Sequence, residues 1–423
     1  MSKRSLKMLI LGVVVLAPLV AVFIWVRSRP QGRAWIDVPP VNSKGFIAAM
    51  QEMDSGSTRL VSIGPDGTIR EPKGSGETSD TDFTWQSEGR RIIFAGNRAS
   101  DGSEQLFSWM PDRDAEPFQE TPSGTVRMSP WFFAKESEIL FCARGDVWAL
   151  TWPNGKLRPV MPPAGREMSI GGEEGEMIEQ TQGVTEQDRW ISQGWSSLSG
   201  TLEAEGFESA RLFGGGKYFA GICRTAQGPA LVIANLDPKD QAQAIPIAPD
   251  GGELLEISTV DDKPLLVVAV KNFRYPIPSQ VPQAKRRPNG KLIADYVNAL
   301  LVFDMEKGSK VAPFMLDKGK VALMQPALSP KGDEIAVCVN VFEKESWISK
   351  ALIVVPIEHG AFNSGKVSTL LEGEVYDPSW NADGTQLTYI KGGDVFVINR
   401  DGSGEKNLTN GKGKFRKPQF SPQ

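Results

Sequence analysis

The chain has 423 residues, 40% of them hydrophobic and 23% charged, with a formal net charge of −4. That is ample material for a core, and it carries no overall basic footprint of the kind that binds nucleic acid or an anionic membrane surface. Three cysteines argue against a disulfide framework, and a single histidine argues against histidine-dependent catalysis and metal binding.

The first element is apolar. A basic tail, residues 1–7 with Lys3, Arg4 and Lys7, precedes an uncharged run from Met8 to Val26, and Arg27, Arg29 and Arg33 follow. At 1.5 Å per residue the run matches roughly 30 Å of hydrocarbon, so it can span a bilayer as a helix. A cleaved signal peptide competes with this reading, but the run ends in Phe23, Ile24, Trp25 and Val26 rather than in small residues. The expectation is an uncleaved signal anchor at 8–26 and a linker at 27–43, with the rest of the chain outside a bacterial inner membrane. Basic residues flank both ends, so charge alone does not fix the orientation.

From Lys44 onward short strand-like runs alternate with turn residues. KGFIAAMQEM, STRLVSIGPDG and TIREP supply three strands between Lys44 and Pro72. FTWQSEGRRI, PWFFAKESEI, PALSPKGDEI and PSWNADGTQL then share one spacing, nine residues from Phe83, Pro130, Pro326 or Pro378 to Ile92, Ile139, Ile335 or Leu387. Each leads into an apolar strand, a further strand such as GDVWAL or GDVFVI, and a closing strand after turn residues. Weaker copies lie around Tyr218 and Leu231, and around Leu265 and Leu300. Four strands in roughly forty residues is the period of a propeller blade.

KPQFSPQ, residues 417–423, has only the opening of such a unit, while the unit near Lys44 lacks its first strand. Pairing the two would close a ring and leave no open edge between its ends. The expected fold is an all-β, seven-bladed β-propeller over residues 44–423, with six to eight blades as the range.

DPSWNADGTQLTYIKGGDVFVINRDGSGEKNLT, from Asp377 to Thr409, resembles the TolB-type propeller repeat, itself WD-repeat-like in architecture. The match weakens elsewhere: FTWQSEGRRIIF has Ser-Glu-Gly in place of Pro-Asp-Gly. Similar repeats occur in the propeller halves of prolyl oligopeptidase-like peptidases. Their activity needs an α/β-hydrolase domain for which this chain has no room, so the resemblance implies architecture and at most an accessory role in such a system.

Other features read as structure. His359 is expected in a surface loop. Cys142, Cys223 and Cys338 fall on equivalent or nearly equivalent strands of separate units, so three free buried thiols are expected. GGGK at Gly214 lacks the Ser/Thr and helix of a phosphate loop, and DGSGEKN at Asp401 lacks the closing acid of a calcium loop; both read as turns.

Two insertions break the spacing. One, about 164–207, is acidic and carries Trp190 and Trp195; the other, about 271–296, is basic and proline-rich with Lys285, Arg286 and Arg287. They are solvated loops or partner-binding surfaces. Taken together, the sequence predicts a membrane-anchored scaffold with a protein partner, no nucleic-acid partner, no cofactor, no metal and no enzymatic activity, its oligomeric state unread. The alternative is a small molecule, glycan or peptide bound in a central channel.

Overall fold

The computed structural model describes residues 44–422 apart from connecting segments, the longest of which are 162–203 and 275–295. The apolar run at 8–26, its flanks and the residues Trp190, Trp195, Lys285, Arg286 and Arg287 lie outside the described residues. Among the described residues no helix is long and apolar enough to cross a membrane.

The described residues form seven antiparallel sheets, numbered here in chain order. Sheet 1 holds β1 (Ile47–Glu52), β2 (Thr58–Ile63) and β3 (Ile69–Arg70). Sheet 2 holds β4 (Asp80–Trp85), β5 (Ile92–Gly96), β6 (Gln105–Trp109) and β7 (Phe118–Gln119). Sheet 3 holds β8 (Met128–Phe132), β9 (Glu138–Ala143), β10 (Asp146–Thr151) and β11 (Lys156–Met161). Sheet 4 holds β12 (Ala204–Phe213), β13 (Tyr218–Thr225), β14 (Gly228–Asn235) and β15 (Gln243–Pro246).

Sheet 5 holds β16 (Glu253–Thr259), β17 (Leu265–Arg274), β18 (Tyr296–Asp304) and β19 (Ala312–Phe314). Sheet 6 holds β20 (Val321–Leu328), β21 (Glu334–Glu343), β22 (Ser346–Glu358), β23 (Ala361–Phe362) and β24 (Ser368–Glu372). Sheet 7 holds β25 (Val375–Trp380), β26 (Gln386–Lys391), β27 (Asp394–Asn399) and β28 (Lys406–Asn407). The last strand, β29 (Lys414–Phe420), pairs antiparallel with β1, setting Phe420 opposite Ile47 and Lys414 opposite Glu52.

Each sheet contacts the next, and β25 of sheet 7 contacts β29, which brings the cycle back to sheet 1. This is the arrangement of a β-propeller. The core lies between successive sheets, because inner strands such as β1, β5 and β6 bury both of their faces. In β1, Ile47 and Ala49 pack with Val395 and Leu408 of the preceding sheet, while Ala48 and Met50 pack with Phe83 and Phe94 of the following one. Strands buried on both sides need apolar residues in unbroken runs, which explains IIFAG and ALIVV.

The repeated motifs are hydrogen-bonding devices. At Asp66, Asp101, Asp383 and Asp401 the carboxylate accepts the backbone N–H and the hydroxyl of the Ser or Thr two residues on. The glycine between them takes φ of +72° to +85°, which few other residues tolerate. Thr409, of the Leu-Thr pair, accepts the Val395 N–H at 3.0 Å and donates to Asp394. Thr121 does the same for Leu106 and Gln105.

The tryptophans join sheets. Trp380 is 7% exposed and donates its indole N–H to the Ala327 carbonyl of sheet 6 at 2.8 Å. Trp85 is 6% exposed and donates to Gln419 of β29 at 3.1 Å. A buried bidentate pair, Asp80 with Arg98 at 2.7 Å, adds a second clasp there, because Asp80 also accepts the Leu60 N–H of sheet 1.

The minor features also find their places. His359 is exposed in a turn with φ +54°, Gly214–Lys217 is the tight turn between β12 and β13, and Asp401–Ser403 is a hairpin turn. Cys223 and Cys338 are free and buried on β13 and β21; Cys142 belongs to β9. The insertions are shorter than their sequence bounds: β12 begins at Ala204, β17 runs to Arg274 and β18 starts at Tyr296. Regular ladder pairing absorbs these flanking residues.

Candidate channel site

The first strands of the sheets run parallel to one another about a common axis. Two contacts at different heights fix this between sheets 6 and 7 and between sheets 1 and 2: Gln325 meets Asp377 while Ala327 meets Trp380, and Lys417 meets Asp82 while Gln419 meets Trp85. Five of these strands carry a bulge here, at Met324/Ala327, Tyr376/Ser379, Leu254/Glu256 and Asp80/Asp82, and between Arg416 and Gln419 of β29. A bulge re-aims side chains. Here it turns polar residues of successive sheets toward each other.

Three bulge residues, Gln325, Asp377 and Lys417, have φ of +55°, +53° and +50°, and each directly precedes a proline. That conformation is unfavourable for non-glycine residues and is kept where surrounding bonds enforce it. The enforcing bonds form a belt. The Asp377 N–H donates to Gln325 Oε1 at 3.1 Å, and Gln325 Nε2 donates back to Asp377 Oδ1. The Lys417 N–H donates to Asp377 Oδ2 at 2.8 Å, and Lys417 Nζ pairs with Asp82 Oδ1 at 3.5 Å. At the other end Glu256 comes near the Gln325 backbone N–H, which favours its ionised form.

Glu256 is open to water, but the protein encloses it on several sides. That desolvation, reinforced by the charge of Asp377 and opposed by Lys417 and Arg211, raises its pKa to about 7. Arg211 of β12 bonds its neighbour's carbonyl, Ala210, at 2.8 Å. Burial lowers its pKa, while Asp82, Asp261 and Glu256 act in the opposite direction. Asp261 is raised by burial and by Asp262. Behind the belt, Cys338 is pushed strongly upward by burial and by Asp377 and Glu256, so its thiol stays protonated and inert.

The site is therefore a ring of mixed charge: Asp82, Arg211, Glu256, Gln325, Asp377 and Lys417. It can grip a polar ligand by several groups at once, and it offers carboxyl groups of unlike proton affinity. Among the described residues no group of three or more His, Cys, Asp or Glu could hold a metal ion. The sequence reading named no residue of this ring, although Gln325, Asp377 and Lys417 stand next to its marker prolines.

No protein-family model matches the chain, and no curated protein matches it in sequence. Solved structures do resemble it. Prolyl endopeptidases share 10% identity at a TM-score of 0.50; the match covers 88% of this chain and 49% of theirs. An oligogalacturonate lyase from Vibrio parahaemolyticus shares 9% identity at a TM-score of 0.49, over 86% of each chain. A putative TolB from Agrobacterium tumefaciens shares 10% at 0.38, covering 69% of this chain and 84% of its own.

The class these observations define is the β-propeller. Within it, the Asp377–Thr409 repeat resembles the TolB type, and a TolB and a WD-repeat propeller are among the similar structures. One expectation is corrected. The absence of enzymatic activity was inferred from the single histidine, yet the similar structures include proteins named as a lyase and as endopeptidases. This fold is found in enzymes, so a single histidine does not exclude activity.

Proposed function

We propose that the chain is a binding propeller in which seven blades close one ring and the channel holds a small polar molecule, glycan or peptide. The observation that carries this is the belt from Glu256 through Gln325, Asp377 and Lys417 to Asp82. Strained backbone and convergent charge at one height, drawn from five sheets, are what a built ligand site has and a merely solvated channel does not need. The apolar run at 8–26 would tether the ring to an inner membrane on its extracytoplasmic side.

A second reading, a scaffold for a protein partner, is favoured by topology. β1 starts where β29 ends, so the chain enters the ring on the face where first strands finish. By the same strand order, β11 ends and β12 begins, and β17 ends and β18 begins, on the opposite face. The strand ends that flank 162–203 and 275–295 thus lie on one face, together with the β21–β22 tip, where Phe342 is 42% exposed against Trp347.

A thermal-shift screen of metabolites, glycans and short peptides tests the channel reading against wild type and Asp377→Asn. Hits lost in the variant support it, and hits indifferent to the ring refute it. Pull-down with and without Trp190–Ser197 tests the scaffold reading. Unchanged recovery would remove it.

A further inference from the structure

One hairpin outgrows its sheet. β21 and β22 stay paired as far as Glu343 and Ser346, joined by a two-residue turn in which Lys344 and Glu345 have φ of +48° and +66°. The strands on either side stop earlier. β20 pairs with β21 only as far as Val341, and β24 pairs with β22 only from Ala351 on, the Gly373 N–H closing that lane on the Lys350 carbonyl at 2.9 Å. In a two-residue hairpin the residues flanking the turn bond to each other, so the next pair, Phe342 and Trp347, points its N–H and C=O groups outward. Among the described residues nothing pairs with Trp347 on that side. Such an edge accepts another strand.

We propose that this edge of β22, residues 346–348, joins the same edge of a second copy, antiparallel and about a two-fold axis at Trp347, so that two propellers share one sheet. The dimer rests on neither the channel reading nor a foreign partner. A two-fold axis normal to the joint sheet sets a residue opposite its own mate, and at Trp347 the two copies exchange two N–H···O=C bonds. The two Trp347 side chains then stand side by side, each with Phe342 next to it at 5.3 Å between ring centres.

Charge fixes both the register and the occupant. Lys344 at the tip, and Glu372 and Glu374 where β24 leaves the lane, are exposed, and among the described residues none of them has an ion-pair partner. With the axis at Trp347, the tip of each hairpin ends where β24 of the other copy leaves, and each Lys344 meets two carboxylates. Neighbouring charges are already matched: Glu343 pairs with Lys350 at 2.9 Å, and Lys271 of β17 lies over the Trp347 ring at 5.7 Å. An axis at Ile348 would drive the tip into β24. A strand from another protein would need a cation of its own at this point, whereas this chain already carries one.

Sedimentation velocity of the full chain in density-matched detergent, from about 1 to 100 μM, tests this. The contact is small, so a reversible dimer with micromolar affinity is expected. Lys344→Glu should weaken it about tenfold or more, and adding Glu372→Lys with Glu374→Lys should restore it. All three side chains are exposed, so the exchange leaves the fold intact, and the wild-type dimer needs no variant to be seen.

A monomer at every concentration overturns the proposal and leaves the edge to a strand of another protein. A dimer that Lys344→Glu does not weaken, or that the compensating changes do not restore, overturns the assignment to this edge. Neither result touches the channel reading, which the ligand screen decides.

Discussion

Deleting Pro418–Gln423 removes the end of β29, and its cost can be worked from single contacts. Phe420, 8% exposed, packs with Ile47, Ala49 and Val395 between sheets 7 and 1. Losing a buried phenylalanine costs about 3 to 5 kcal/mol. Gln419 is the acceptor for the Trp85 indole, and an orphaned buried donor adds about 1 to 3 kcal/mol. Ser421 also donates to the Phe46 carbonyl at 2.8 Å. A loss of about 4 kcal/mol or more would take much of a typical stability of roughly 5 to 15 kcal/mol. Urea unfolding of residues 44–423 and 44–417, followed by tryptophan fluorescence, measures it, with Phe420→Ala as the milder control. A shortened chain with the parent's midpoint would refute ring closure through β29.

Four further outcomes are expected. Glu256 has a folded pKa of about 7 against an ordinary 4.5, so its contribution to stability is full below pH 4.5 and is lost as pH rises through 7. The full shift would be ~3 kcal/mol, but channel water screens it to roughly 1 kcal/mol; denaturation of Glu256→Gln at pH 5 and pH 8 should show a flatter profile than wild type. Asp66, Asp383 and Asp401 are held below the usual 3.8 by Thr68, Thr385 and Ser403, so their contribution persists above pH 3.8 and fades as pH falls through the lowered values; changing all three to Asn should flatten the acid limb of a pH melt. Asp80→Asn strands the Arg98 guanidinium, 4% exposed, and should cost about 3 to 5 kcal/mol in urea unfolding, with a change under about 1 kcal/mol marking a well-hydrated pair. Trp380→Phe keeps the wedge but loses the bond to Ala327, a difference of about 1 kcal/mol that a matched Trp85→Phe should reproduce.

The fold was legible because its signals are local. A proline or phenylalanine nine residues ahead of an apolar run, an Asp-Gly-Ser turn and a closing Leu-Thr each do their work within a few residues, so a linear reading finds them. The pairing of KPQFSPQ with the unit at Lys44 was also readable, as a strand short at one end and a strand spare at the other.

The channel ring was not legible, for a physical reason. Glu256, Asp377 and Asp82 become neighbours only when distant strands are laid parallel around an axis, and no spacing in the chain records that. Arg211 and Glu256 come from the two units that keep least of the repeat. One local signal does exist: the residue ahead of the marker proline is polar in four units, Ser129, Gln325, Asp377 and Lys417. A proline also constrains the backbone of the residue ahead of it. The non-enzyme expectation erred differently, by treating one residue type as a proxy for all catalysis.

The partnership of β29 with β1 sets an order of events during synthesis. β1 is made before its completing strand, which follows more than 360 residues later. Until Phe420 has left the ribosome, one side of β1 presents unpaired N–H and C=O groups beside exposed Ile47 and Ala49. Such an edge attracts stray strands from other nascent chains. The price of a ring without an open seam is therefore a long interval in which the seam is the most vulnerable part of the molecule, and a chaperone that guards this protein should be found on residues 47–52.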